Sequence, residues 1–250
     1  MRLHLEWGPT GARRYASRVA VSVVVDVLSF TTAVTVAADR GIQVLPYSWD
    51  DAGAADLAFS LDATLAVSRR EAGPGQVSLS PSSVRDAPAG VERLVLPSPN
   101  GSTICALLGA GGAGVVAASL RNRAAVAAHL SRLLAADPDA AVLLVPAGER
   151  WPDGSLRPAI EDLWGAGAVV AAVQDLAGDE AVVGEEAAAA AAAYRLVEGR
   201  LEEALFRVFS GRELRDRGYS SDVTIAAELD ASGLVPVLTD GVFVAATGRA

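Results

Sequence analysis

Seven short apolar runs recur along the chain: 19–26 (VAVSVVVD), 42–46 (IQVLP), 63–68 (ATLAVS), 92–98 (ERLVLPS), 114–119 (GVVAAS), 140–148 (AAVLLVPAG) and 234–238 (LVPVL). They are mostly continuous rather than alternating, as strands covered on both faces must be. Between them lie stretches with helical end signals. Residues 29–40 close on Gly41, residues 122–138 open on an asparagine and stop at Pro138, and residues 157–176 carry Pro158 in the first turn. The alanine-rich segment 185–209 is strongly helix-forming. Gly199 is expected to divide or bend it, and Tyr194, Leu196, Leu201, Leu205 and Phe209 to form its apolar stripe. The pattern predicts an α/β fold, a largely parallel or mixed sheet with helices on both faces, in three layers.

No stretch reads as a linker, so a single compact domain over residues 1–250 is expected. The strand, acid, helix order of residues 23–34 is faintly echoed at 142–170, which allows for two similar halves. The turn-rich segment 68–90 is long enough to reach over something. Apolar residues at 51% against 20% charged exclude a disordered chain. No apolar run approaches the roughly 20 residues of a membrane span. The first twenty residues lack the apolar core of a secretory signal, so a cytoplasmic chain is expected.

A net charge of −9 argues against a sequence-independent grip on nucleic acid, which needs a basic surface. An acidic ligand must then be met by local groups. One cysteine, Cys105, excludes a disulfide within the chain, and two histidines, His4 and His129, leave little for a thiolate or imidazole zinc site or a Ser-His-Asp device. His4 lies in the first apolar stretch and His129 in an alanine-rich helix. The chemistry is therefore expected to rest on carboxylates, hydroxyls, arginines and a hard metal ion.

Asp26 ends an apolar run and precedes a helix, the position where functional groups collect in a parallel sheet. With Ser29, Thr31 and Thr32 it also reads as a helix cap, and the two roles are compatible. The turn at 98–104 (SPNGSTI) has free amides at a helix start and the hydroxyls of Ser102 and Thr103, a ready anion site, although Asn-Gly is also an ordinary turn. It has neither the P-loop lysine nor the dinucleotide glycine spacing. Glu161 and Asp162 are adjacent in a first helical turn, where acids suit the helix dipole; residues about 100° apart should leave one in solvent and turn the other to the sheet. Together with Asp26 they would offer Mg²⁺ an oxygen-rich site. Asn122 either reaches the same strand end or caps its helix. Arg69 and Arg70 either pair with an anion or stay solvated, and Cys105 lies on an apolar helix face.

In this order the motifs resemble those of the magnesium-dependent 2-phosphosulfolactate phosphatases, over nearly the whole chain. VVVDVLSFTTAVTVAADRG resembles the family's aspartate-led DVLRATTT segment, PSPNGST its TTNGT segment and SLRNRAAVA its asparagine-alanine segment. VPAGERWPDGSLRPAIEDLWGAGAVV is similar to the stretch holding the paired acids, and SGRELRDRGYSSDVTIAAELDASGLVPVL to the C-terminal ending. The resemblance implies an α/β fold, Mg²⁺, and hydrolysis of a phosphate monoester on a small sulfonated hydroxy acid. It implies Asp26, Glu161 and Asp162 as the acidic, metal-binding residues, and Arg69, Asn100, Gly101, Ser102, Thr103 and Asn122 as phosphate or substrate contacts. Four positions depart from the pattern: Ser29 stands where the family has arginine, Ser68 where it has glutamate, Pro99 replaces the second threonine of TTNGT, and Pro146 stands where the family has the cysteine of its CAG before the paired acids. A degenerate member that binds a small anion or a protein partner is the alternative reading. The family name points toward coenzyme M biosynthesis, which the residues themselves do not specify, and a homodimer is compatible with the size.

Overall fold

The continuous runs become strands, and in the centre of the sheet both faces of those strands find cover. The computed structural model describes residues 2–48, 53–111, 114–137, 139–178 and 181–247. In chain order the strands are β1 (Arg2–Leu5), β2 (Val21–Val25), β3 (Gln43–Ser48), β4 (Thr64–Leu65), β5 (Arg93–Ser98), β6 (Gly114–Ala118), β7 (Ala141–Pro146), β8 (Glu149–Arg150), β9 (Leu156–Arg157), β10 (Val182–Val183), β11 (Leu234–Thr239) and β12 (Val242–Thr247). All but the β8–β9 hairpin join one sheet, in the order β10-β1-β7-β2-β6-β11-β12-β3-β5-β4. The first five strands in that order are parallel, as are the last three, and the antiparallel hairpin β11–β12 joins the two blocks.

The helices are α1 (Gly8–Tyr15), α2 (Phe30–Asp39), α3 (Ala54–Ser60), α4 (Pro81–Arg85), α5 (Gly101–Gly109), α6 (Arg123–Ala136), α7 (Ile160–Ala177), α8 (Glu185–Arg195), α9 (Leu201–Arg207), α10 (Phe209–Asp216) and α11 (Ser220–Ala226). Alternate residues of the central strands feed two cores. Val23, Val25, Val116, Val142 and Leu144 pack with α6, α7, α8 and α9, while Val24, Val115, Leu143 and Val145 pack with α2 and α5. That division is the reason the strands read as unbroken apolar runs, and it gives the expected three layers.

Four strands lie between β2 and β5. In a flat sheet their ends would be about 24 Å apart, at about 4.8 Å per strand. Instead the amide of Gly101, just after β5, donates to Asp26, just after β2, across 2.9 Å. The sheet is twisted and curled until residues from both parallel blocks meet, and that meeting creates the site.

Three local expectations differ from the structure. The 63–68 run shortens to the two residues of β4 at the sheet edge. In 185–209 the chain leaves α8 and passes through a 3₁₀ turn at Glu198–Arg200 before α9. The turn resets the helical phase, so Tyr194, Leu201 and Leu205 are buried while Leu196 (79%) and Phe209 (58%) are exposed. The strands β1, β10 and β12 and the hairpin β8–β9 were not among the expected runs. No helix among the described residues is long and apolar enough to cross a membrane.

Candidate active site

Asp26 leaves β2 at the N-terminal ends of two helices. Its Oδ1 accepts from Phe30 N in the first turn of α2 (3.2 Å) and its Oδ2 from Gly101 N in the first turn of α5 (2.9 Å). The capping role read from the sequence is thus real, and it is doubled. The approach demands glycine at 101, since a Cβ there would lie 2.6 Å from Asp26 Oδ2 and 2.8 Å from Phe30 Cδ1. Thr31 fixes the Asp26 backbone, its Oγ1 donating to Asp26 O (2.8 Å) and accepting from Asp26 N (2.9 Å).

Three further carboxylates surround Asp26. Both Glu161 and Asp162 are buried, so the expectation that one would face solvent fails. The first turn of α7 is wedged against the strand ends: Asp162 accepts from Val27 N (2.7 Å) and from Gly148 N (2.9 Å), tying the exits of β2 and β7 together. No hydrogen bond reaches the Glu161 carboxylate from the described residues. Glu149, which the sequence reading passed over, starts β8 and accepts from Asn100 Nδ2 (2.8 Å).

Crowded burial shifts these acids. Asp26 is held above the usual carboxylate range, first by burial and then by the Glu161 charge, against the opposing pull of the Gly101 and Phe30 amides and of Arg69. Asp162 is raised well above it by burial, then by Asp26 and Glu161. Glu149 is raised to about 7, by burial first and Asp26 second, with the Asn100 bond opposing.

Arg69 brings the opposite charge. Its Nε and Nη2 donate to Asp222 Oδ2, each at 3.2 Å, and its Nη2 also donates to Ser29 Oγ at 2.6 Å. The ring of Tyr219 lies under the guanidinium at 5.6 Å, and its hydroxyl donates to Arg69 O. Asp222 is fully buried in the first turn of α11, and its Oδ1 accepts from Ser80 Oγ (2.6 Å), Ser82 Oγ (2.8 Å) and Ser82 N (3.1 Å). The 68–90 segment does reach over something: it carries Arg69 to the site and anchors there on Asp222.

These groups border a cavity of about 600 Å³, with Asp26, Asn100, Glu149, Ser29 and Arg69 in its lining. Glu161, Asp162, Gly101, Ser102 and Thr103 are not in that lining, nor is either histidine. The hydroxyls expected to meet an anion are turned to the strands instead. Ser102 Oγ accepts from Tyr47 N (2.6 Å) and is within bonding distance of Tyr47 O and Leu96 O, while Thr103 Oγ1 donates to Ser98 O (2.9 Å). The first two α5 amides are also taken, Gly101 N by Asp26 and Ser102 N by Ser98 Oγ. Asn122 sits away from the cavity. Its side chain accepts from Ser119 N and donates to Ala117 O and Leu234 O, tying the exit of β6 to the start of β11 rather than capping α6. Cys105 is buried core, its thiol pushed up by burial and then by Asp26.

Among the described residues, no group of three or more His, Cys, Asp or Glu side chains is arranged to hold a metal ion. Asp26 and Asp162 each turn both oxygens to backbone amides, but of the two only Asp26 also borders the cavity. The donor chemistry still fits a smaller demand. Asp26 and Glu161, the latter without a hydrogen-bond partner among the described residues, are hard oxygen donors, close enough for each charge to be felt, and Mg²⁺ is commonly held by one or two carboxylates with water and phosphate oxygens completing its shell.

A search of curated proteins finds no match to the chain. The family model described as 2-phosphosulpholactate phosphatase matches residues 10–241, a span that takes in Asp26, Arg69, Asn100, Glu149 and Asp222, and the chain belongs to that family.

Proposed function

We propose that the chain hydrolyses the phosphate monoester of a small organic acid, resembling the conversion of 2-phosphosulfolactate to sulfolactate and phosphate, with Mg²⁺ as cofactor. The observation that carries this reading is the pairing of buried acids with a fixed guanidinium at one cavity: Asp26 and Glu149 on one part of the lining, Arg69 on another. Asp26 and Glu161 would hold the ion. When bound, Mg²⁺ supplies charge neutralisation for these carboxylates and for the phosphoryl oxygens.

Arg69 enters the cavity preoriented, because Asp222 and Ser29 take its Nε and Nη2. Its Nη1 is left to donate to a phosphate oxygen, a charge-assisted contact whose ordering cost is met in folding. Glu149, raised to about 7, keeps a proton near neutral pH. With Oε2 accepting from Asn100, that proton would rest on Oε1 and pass to the ester oxygen as the bond to phosphorus breaks. Water supplies the oxygen gained by phosphate, so ester and water become alcohol and phosphate. A cation beside Asp26 and Glu161 removes part of the lift on Glu149; burial, its largest cause, persists.

Phosphate release from a panel of small phosphorylated acids, with Mg²⁺ and with a chelator, tests the proposal. Turnover that requires the metal is the expected result. Binding of a member of the panel, seen as a rise in melting temperature without any release of phosphate, would replace the enzyme with an anion-binding relative.

A further inference from the structure

The first eighteen residues carry four arginines and one acid, although acidic residues outnumber basic ones 30 to 21 over the whole chain. Three of these arginines, Arg13, Arg14 and Arg18, border a groove of about 970 Å³ along α1, whose lining holds a single acid, Glu6. The groove and the catalytic cavity share no lining residue. We propose that the groove is a second ligand site, which takes a nucleoside di- or triphosphate with its base against Trp7 and Tyr15 and its phosphates on the three arginines.

These arginines are exposed, and their side chains make no ion pair or hydrogen bond among the described residues. Other surface arginines of the chain, Arg195, Arg207, Arg215 and Arg217, each sit on an acid. Unmatched positive charge draws anions from solution, and a planar guanidinium suits two oxygens of one phosphate. The helix dipole favours Arg13 and Arg14 in the last turn of α1. It gives no reason for Arg18, which follows in the 3₁₀ turn Ala16–Arg18 and lies over the Tyr15 ring at 5.9 Å. The two rings are held before any ligand arrives: Trp7 packs against the core that α6 and α7 cover, Tyr15 against the core that α2 and α5 cover, and each gives its remaining surface to the groove. Gly11, four residues from each ring, puts no side chain between them. Aromatic surface beside free cations is what a base and its phosphates require, and stacking accepts any base. The volume lies within the roughly 300–1,000 Å³ of small-molecule sites, whereas a nucleic acid strand running beyond the groove meets a protein of net charge −9.

Calorimetry and tryptophan fluorescence test the site on the full chain in a chelator, so that no Mg²⁺ draws the phosphonates to the catalytic cavity. Three probes serve: methylenediphosphonate, adenosine, and α,β-methylene-ADP, which joins the two. The joined probe is expected to bind at least about tenfold more tightly than either part and to quench the fluorescence. Trp7→Phe should remove most of the quench. Arg13→Gln combined with Arg14→Gln, a change confined to exposed side chains and checked by an unaltered melting curve, should weaken the joined probe about tenfold or more and leave adenosine unchanged. No binding of the joined probe, binding no tighter than that of methylenediphosphonate, a quench that survives in Trp7→Phe, an affinity unmoved by the arginine changes, or tighter binding of a single-stranded oligonucleotide overturns the inference. None of these outcomes touches the phosphatase reading, because the catalytic cavity is lined by none of the altered residues.

Discussion

Asp222 meets no solvent, yet it sets the direction in which Arg69 points. Removing its side chain leaves a guanidinium and two serines without their acceptor, so Asp222→Ala should destabilise the chain by about 3–5 kcal/mol in chemical denaturation. Asp222→Asn keeps the shape and loses the charge. It should fold, and weaken phosphate binding by about tenfold or more in calorimetry, because Arg69 is then free to wander. Glu149→Gln should lower kcat about 10²-fold and abolish the fall of kcat on the alkaline side, since the wild-type acid loses its proton as pH rises, with bound Mg²⁺ at a pH below the metal-free midpoint of about 7. Asp26 was legible in the sequence because a single acid ends an apolar run. Glu149 was not, because its neighbours ERWPDG look like an exposed turn and the groups that act on it, Asn100 and Asp26, are distant along the chain. Asp222 was hidden for a different reason: an acid in a first helical turn already has a local explanation in the helix dipole.

The elements meet where side chains vanish. Gly101 lets α5 close on Asp26, and Gly165 lets α7 settle on β2, where a Cβ would lie 2.7 Å from both Val25 Cγ1 and Val27 Cγ2. Gly101→Ala should cost about 1–3 kcal/mol, the usual range for overpacking, and should lower activity beyond that loss, because Asp26 is the group it displaces. Guanidinium unfolding paired with kcat at a temperature where both proteins are folded separates the two effects. The apolar runs disclosed the central strands, whose character is local. The curl that joins β2 to β5 was out of reach, because it depends on the hairpin β11–β12 inserted between two parallel blocks. That hairpin did leave a trace: Asp240 and Gly241 both have positive φ, and Asp-Gly between apolar stretches is the signal of a tight two-residue turn.

At the scale of the whole molecule, the chain gathers four acids, Asp26, Glu161 and Asp162 buried and Glu149 partly so, beside one arginine within a protein of net charge −9. Folding raises the pKa values of Asp26, Asp162 and Glu149, and for Glu149 between about 4.5 and about 7 the native chain holds a proton that the unfolded chain has released. Stability of the metal-free protein should accordingly fall as pH rises through that window. Its melting temperature should be higher at pH 5 than at pH 8, and millimolar Mg²⁺ should recover much of the loss at pH 8 by binding the native carboxylates. An unchanged melting temperature on adding Mg²⁺ at pH 8 would remove the ion from the account. The central claim is that Asp26 gathers the metal and the phosphate at the junction of the two parallel blocks. Phosphate release from 2-phosphosulfolactate by the wild-type chain and by Asp26→Asn, side by side in Mg²⁺ after matching their melting curves, tests it most directly. Release by the wild type with a loss of about 10²-fold or more in the folded variant is the predicted result, and turnover retained by Asp26→Asn would contradict it.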